Sequence, residues 1–351
     1  MSRFWSEITH TLVPYVPGEQ PRHQRLVKLN TNEAPIEASP KVLEAIRSTS
    51  GDQLRRYPDP ESVALRQAIA TRFALDPAQV FVGNGSDEVL AHAFLGLLKH
   101  PQAVLFPDIT YSFYTVWAGL YGIACRQVPL DEHFAVKVGE YAEPNGGIVL
   151  PNPNAPTGIL LPLEDIRRLL QANRDSVVII DEAYIDFGGE SAAALIPEFD
   201  NLLVVHTLSK SRALAGLRVG YALGQAELIE GLNRVKNCFN SYPLDVIAQR
   251  AAVASLEDES WFRAGCNEVM ETRAWLCGEL ARLGFECLPS AANFVFASHP
   301  QRHARELFEA LREQGIIVRH FARPRIDRFL RVSIGSRADC EILVEALEQL
   351  L

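Results

Sequence analysis

From about residue 79 to residue 223 the chain alternates short apolar runs with amphipathic stretches. The runs 79–82, 103–106, 124–128, 148–150, 177–180, 202–207 and 219–223 are rich in Val, Ile, Leu and Phe and are bounded by Gly, Pro or Asp. They read as strands, and those without polar alternation read as strands buried on both faces. Between them, 89–98, 111–120 and 163–173 repeat apolar side chains at helical spacing. Strands and helices in alternation predict an α/β fold with a mostly parallel sheet. Upstream, Pro40–Arg47 reads as a short helix with Ser39 as its N-cap. The stretch 61–73 reads as a helix with Val63, Leu65, Ile69 and Phe73 on one face. Residues 1–45 form an arm in which Pro14, Pro17, Gly18 and Pro35 disfavour a long helix.

A change of composition at 237–243 opens a second part. Helical spacing runs from 244 to 283 with a break at 257–260. Then come a strand at 293–296, a helix at 303–314, strands at 316–318 and 329–334, and a closing helix at 338–350. The expected organisation is an arm (1–45) packed with the small domain, a large domain (46–240) and a small α/β domain (241–351).

Composition narrows the function. The chain has 351 residues and a formal charge of −9. Nucleic-acid binders need a basic face, so none is expected here. Cys125, Cys238, Cys266, Cys277, Cys287 and Cys340 form no CxxC pair, so they read as thiols of a reducing compartment, the cytoplasm. No run reaches the length of a membrane span, and the N-terminus has no apolar core of a signal peptide. His299 and His303 stand at i,i+4, but Pro300 separates them and no third ligand is evident, so no metal is expected.

The chemistry gathers at the strand ends. In open α/β sheets, ligands bind beyond the carboxyl ends of the strands. Successive strands here end in GNGSDE, ITY, NPNAPTG, DEAY and SK. Gly83-x-Gly85-Ser86 leads into a helix, so free N–H groups point at one spot and suit a phosphate. Asp181 ends an apolar run, where an ionised carboxylate is costly without a partner. Lys210 follows Ser209 just past another strand. Arg218 lies in a glycine-bearing turn and offers a forked donor to a phosphate. Tyr111 can stack on a flat ring, and Arg319 and Arg331 suit a carboxylate or phosphate.

Taken together, LNTNEAP, RYPDP, GNGSDE, NPNAPTG, DEAYIDF and TLSKSRALAGLRVGYA resemble the fold-type I pyridoxal-phosphate aminotransferases over nearly the whole chain. Among the subfamilies, they are most similar to the histidinol-phosphate aminotransferases. The resemblance implies pyridoxal 5'-phosphate as cofactor, with Lys210 as the Schiff-base lysine and proton carrier. It implies Asp181 against the pyridine nitrogen, Tyr184 at the phenolic oxygen and Tyr111 stacked on the ring. Ser86, Asp87, Ser209 and Arg218 would hold the phosphate, joined by Tyr57 from the other subunit of a homodimer. Tyr15, Asn32, Arg319 and Arg331 match positions that meet substrate, histidinol phosphate in one half-reaction and glutamate or 2-oxoglutarate in the other. One position departs from the pattern: related enzymes read Asn before the second proline, and here that residue is Ala155. Asn154 is the expected substitute, with Asn152 next. Threonine-phosphate decarboxylase and aromatic-amino-acid aminotransferase share most of these motifs and stay open, as does a non-catalytic cofactor-binding regulator.

Overall fold

The computed structural model describes residues 2–15, 18–19 and 26–351. The arm carries β1 (Val27–Lys28). The apolar runs form β2 (Val80–Asn84), β3 (Val104–Pro107), β4 (Cys125–Val128), β5 (Ile148–Pro151), β6 (Val178–Asp181), β7 (Leu202–Thr207) and β8 (Val219–Gly224). These seven make one sheet in the order β2-β8-β7-β6-β5-β3-β4. β8 runs antiparallel to β2 and to β7, while the remaining pairs are parallel. Parallel strands are covered on both faces, and β5 to β8 are buried along their whole length. Alternate residues feed separate cores. Ile148, Val178, Ile180 and Val204 pack on one face, and Val149, Ile179 and Val205 pack on the other with Phe94, Tyr114 and Trp117.

The second part adds β9 (Glu286–Cys287), β10 (Phe294–Ser298), β11 (Ile316–Ile317), β12 (Arg319–His320) and β13 (Phe329–Ser333). An antiparallel sheet runs β12-β13-β10-β9. The helices Glu259–Arg282, Ala304–Glu313 and Arg337–Leu350 pack with it around Leu276, Val295, Leu307 and Leu343. β1 pairs in parallel with β11, and Leu29 joins this second core. A smaller cluster bridges the two parts, with Ile109, Leu130 and Phe134 meeting Phe296 and Ile326. Beside it, Arg325 Nη1 donates to Asp108 Oδ2 at 3.1 Å.

Several expectations shift by a residue or two, and some shift further. The helix Val246–Glu257 lies beyond the expected boundary at 241, yet its Ala248, Ala251, Ala252 and Leu256 pack in the first core. The division between cores falls at Asp258, where one helix ends and Glu259–Arg282 begins. The change of composition at 237–243 marks a loop within the large part. Helix Ala226–Phe239 has no counterpart in the expected elements because it buries only Ile229, Leu232 and Lys236, a thin stripe. β9 and β12 are two residues each, too short for periodicity to register. Short helices also occupy Glu7–Thr11 and Gly51–Leu54.

Among the described residues no helix is long and apolar enough to cross a membrane, and no group of three His, Cys, Asp or Glu side chains could hold a metal. His299 and His303 each spend Nδ1 on a local backbone N–H, from Gln301 and Arg305.

Helix Gly85–Leu97 starts four residues before the apolar spacing announces it, directly after β2. Its first turn rests on Gly220 of β8, the register partner of Gly83. A Cβ at Gly220 would stand 2.3 Å from Ser86 N and 2.4 Å from Gly85 C. Both are backbone atoms, so nothing nearby can give way. Gly220→Ala is expected to lower stability by about 1–3 kcal/mol or more through overpacking, read from the urea midpoint of the purified apoprotein. An unchanged midpoint would show that the helix end can lift freely from the sheet.

Candidate active site

A cavity of about 1010 Å³ opens at the carboxyl ends of the parallel strands, between the two cores. Tyr15, Asn32, Ser86, Asp87, Tyr111, Asp181, Tyr184, Ser209, Lys210, Arg218, Arg319 and Arg331 all line it. Residues from four strand ends of the large sheet, the arm and the small sheet thus converge on one space.

Asp181 closes β6 and is almost fully buried. Tyr114 donates its hydroxyl to Asp181 Oδ2 at 2.8 Å, whereas Oδ1 is buried with no partner. Burial pushes the carboxyl up to about 6, against the pull of Tyr114 and the Ala183 N–H. An orphaned carboxylate oxygen on a cavity wall calls for a donor from a ligand.

Lys210 follows β7 by three residues, and its Nζ donates to the Thr31 carbonyl at 3.0 Å. Burial, with Arg331 nearby, brings the amine down to about 8. The ammonium also lies 5.9 Å from the centroid of the Tyr184 ring. A lysine poised so close to neutrality can serve as nucleophile and as proton carrier.

The start of helix Gly85–Leu97 could cradle an anion. No side chain caps this end, although Asn84 occupies the cap position. The first-turn N–H groups and the positive end of the helix dipole are left for a ligand. Arg218 turns toward the same spot with a left-handed backbone (φ 53°) and donates Nη2 to Asp87 Oδ2 at 3.0 Å. Gly85 (φ +78°) makes room for it, because a Cβ there would stand 2.5 Å from Arg218 Nη2. Ser209 Oγ lies 2.9 Å from Thr207 Oγ1 on the adjoining turn. Tyr111 is fixed over this region by its hydroxyl, which donates to Asp87 Oδ1 at 3.0 Å.

The opposite wall carries two cations. Arg319 of β12 and Arg331 of β13 are direct register partners. Arg331 Nη2 donates to the Asn30 carbonyl at 2.8 Å, and its Nε is buried without a partner. Burial and Arg319 both work against its charge. Asn32, left-handed at φ 56°, ties the arm to this wall. Ser333 Oγ donates to its Oδ1 at 2.7 Å, and its own Nδ2 donates to Tyr184 Oη at 3.0 Å. Tyr15 stacks on Phe113, with ring centroids 4.7 Å apart.

Two expected residues lie elsewhere. Asn154 is buried inside its own loop, where Nδ2 donates to the Ile109 carbonyl and to Thr157 Oγ1. Asn152 is likewise spent, exchanging bonds with Leu161 N and O. Ala155 and Pro156 of this loop line the cavity, whereas neither Asn152 nor Asn154 does. Tyr57 is 83% exposed on the outer surface and stacks on Tyr242 at 4.7 Å. Tyr114 was not anticipated. A tyrosine on an apolar helix face reads as packing, and only the register of helix against sheet brings its hydroxyl to Asp181.

A phosphorylated, protonated pyridine with a carbonyl arm fits this set of groups. Asp181 Oδ1 would accept from a ring N–H, the uncapped helix and Arg218 would hold a phosphate, and Lys210 would meet the carbonyl carbon. Pyridoxal phosphate has that form.

The sequence profile of the family "Aminotransferase class I and II" matches residues 24–347. The chain is 59% identical to histidinol-phosphate aminotransferase 2 of Dechloromonas aromatica, covering 100% of this chain and 99% of that protein. It is 60% identical to the histidinol-phosphate aminotransferase of Pseudomonas putida, covering 99% and 100%. Its fold superposes with a TM-score of 0.88 on the histidinol-phosphate aminotransferase of Sinorhizobium meliloti in complex with pyridoxal-5'-phosphate, at 24% identity, covering 100% and 99%. With the profile spanning all but the two ends and the relatives matching from end to end, the chain belongs to the class I and II aminotransferases.

Proposed function

We propose that the chain is a pyridoxal-phosphate-dependent histidinol-phosphate aminotransferase, exchanging an amino group between histidinol phosphate and 2-oxoglutarate in histidine biosynthesis. The observation that carries the cofactor is Asp181 Oδ1, buried, unpaired and on the wall that Lys210 shares. The substrate reading rests on the paired Arg319 and Arg331 and on relatives about 60% identical that bear that name.

When bound, pyridoxal phosphate supplies the electron sink that stabilises charge left on the substrate's α-carbon. The chain's residues do the remainder. Asp181 holds a proton on the ring nitrogen through a charge-assisted bond. Lys210 Nζ, its amine brought down to about 8 by burial, would take the proton from the substrate's α-carbon and deliver it to the former carbonyl carbon of the cofactor, across the nitrogen between them. Tyr184 would meet the phenolic oxygen. Asn32 Nδ2 occupies one side of the Tyr184 oxygen, which fixes the direction in which its hydroxyl donates. Arg319 and Arg331 accept a phosphate in one half-reaction and a carboxylate in the other, because both anions present paired oxygens to a guanidinium.

A second copy of the chain completes the reading. Tyr57 and Tyr242 stack in the open, and Phe4, Val13, Leu54, Val63 and Phe239 are exposed nearby in sequence to these elements or on the arm. Apolar surface of this extent is normally covered in an oligomer. A homodimer would bury it and bring Tyr57 to the partner's cradle. Six free thiols, two of them exposed, fit the reducing cytoplasm.

The assignment is tested with holoenzyme and histidinol phosphate in the absence of 2-oxoglutarate. A stoichiometric release of imidazole-acetol phosphate is expected. Silence toward this substrate, with CO₂ released from threonine phosphate, would overturn it. Lys210→Met is expected to abolish turnover. It also changes the linkage of stability to pH. The folded amine titrates near 8 and the unfolded one near 10.5, so in that window the unfolded chain binds the extra proton and stability rises with pH. The Lys210→Met apoprotein should therefore exceed wild type in stability at about pH 7, with the gap shrinking by about pH 10, as urea titrations at the two values would read. For the assembly, light scattering should give twice the 39.0 kDa chain mass, and Tyr57→Ala should weaken cofactor binding. A monomer with full activity would remove Tyr57 from the site.

A further inference from the structure

We infer that Tyr114 is a positioning residue for the transamination, holding Asp181 so that one carboxylate oxygen alone faces the ring nitrogen. This rests on the reading of Asp181 as the partner of that nitrogen.

The geometry leaves Tyr114 little choice. Its side chain is fully buried on helix Phe113–Tyr121. Phe94 lies parallel to it at 6.1 Å, Phe106 edge-on at 5.9 Å and Trp117 at 6.2 Å. The ring is held on several sides, so the hydroxyl points to one place, Asp181 Oδ2 at 2.8 Å. A carboxylate has two equivalent oxygens, and a rotation about Cβ–Cγ exchanges them. Tying one oxygen to a rigid donor stops the exchange and aims the other. Tyr114 also packs edge-on against Tyr111 at 5.7 Å and 89°. One buried ring therefore braces both the group beneath the cofactor nitrogen and the ring that faces the cofactor plane.

The same bond bears on charge. The groups facing the Asp181 carboxyl are Tyr114 from its helix, the Ala183 N–H from the following turn, Asp87 from the helix start and His206 from β7. Asp87 raises the carboxyl and the other three lower it, but desolvation outweighs them. A hydroxyl that donates to the ionised form favours that form. Without it, Asp181 would take up a proton at a higher pH and could no longer hold one on the ring.

The test compares Tyr114→Phe, Asp181→Asn and the double variant as holoenzymes, since Phe keeps the ring that the core packs around. Tyr114→Phe is expected to lower kcat by roughly tenfold to a hundredfold, the effect of one lost hydrogen bond to a charged group, with KM nearly unchanged. Cofactor affinity of the apoprotein should begin to fall at a higher pH than the value near 6 of wild type. The ¹⁵N shift of labelled bound cofactor should move toward the unprotonated ring. In the Asp181→Asn background the second change should add nothing. Replacing Tyr114 by 3-fluorotyrosine keeps the packing and strengthens the donor, so the affinity profile should move the other way. An unmoved pH profile and ¹⁵N shift, or a loss that adds fully to that of Asp181→Asn, would overturn the inference. If Asp181→Asn alone turns over at the normal rate, the reading of Asp181 fails first and the inference falls with it.

Discussion

A buried acid and a half-buried amine line one cavity and are not paired with each other. Asp181 gives one oxygen to Tyr114, and Lys210 gives its ammonium to the Thr31 carbonyl. Each is shifted toward neutrality by burial, the carboxyl up and the amine down. Direct pairing would satisfy both charges and leave no chemistry to perform. Much of the architecture keeps them apart. β6 and β7 are parallel neighbours, so their ends lie side by side, and Lys210 is carried past its strand by a turn. The arm then supplies the carbonyl that occupies the amine. Asp181 Oδ1 is left buried without a partner, the one atom of the pair that a ligand would answer.

The sheet and its polar strand ends are legible in the sequence because the constraint there is local. An all-apolar run is buried on both faces wherever it sits, and a charged residue at its end has to be accounted for. GNGSDE, DEAY and SK therefore announce the cavity. What escapes is fixed by register between distant segments. Arg319 and Arg331 face each other because a two-residue strand pairs with β13, and nothing in either neighbourhood says so. Tyr114 depends on how its helix lies over β6. The loss of Asn154 from the site has the same origin. Its identity suggests a ligand contact, but the loop closes on itself and uses the amide for the Ile109 carbonyl and Thr157. Composition shifts at the polar, proline-bearing stretch before Val246–Glu257, whereas that helix packs in the first core.

Glycine does in this site what no side chain could. The cradle needs a helix end, a strand and an arginine within contact distance, and Gly220 and Gly85 remove the Cβ atoms that would hold them apart. An anion held there would rest on backbone geometry, while Arg319 and Arg331 come from the small sheet. Ser86, Asp87 and Arg218 are carried by the large sheet, whereas Asn32, Arg319 and Arg331 are carried by the arm and the small sheet.

The parallel pairing of β1 with β11 joins residues 27–28 to residues 316–317. Contacts so far apart in sequence close late, because the entropy of the intervening loop is lost before they form. During synthesis the arm has no strand to pair with until nearly the whole chain has left the ribosome. The Thr31 carbonyl and Asn32, which follow β1, come to rest against Lys210 and Tyr184 only then. The order of translation therefore withholds the finished cavity from the nascent chain, and a product truncated before β11 carries Lys210 without the Thr31 carbonyl docked on its amine.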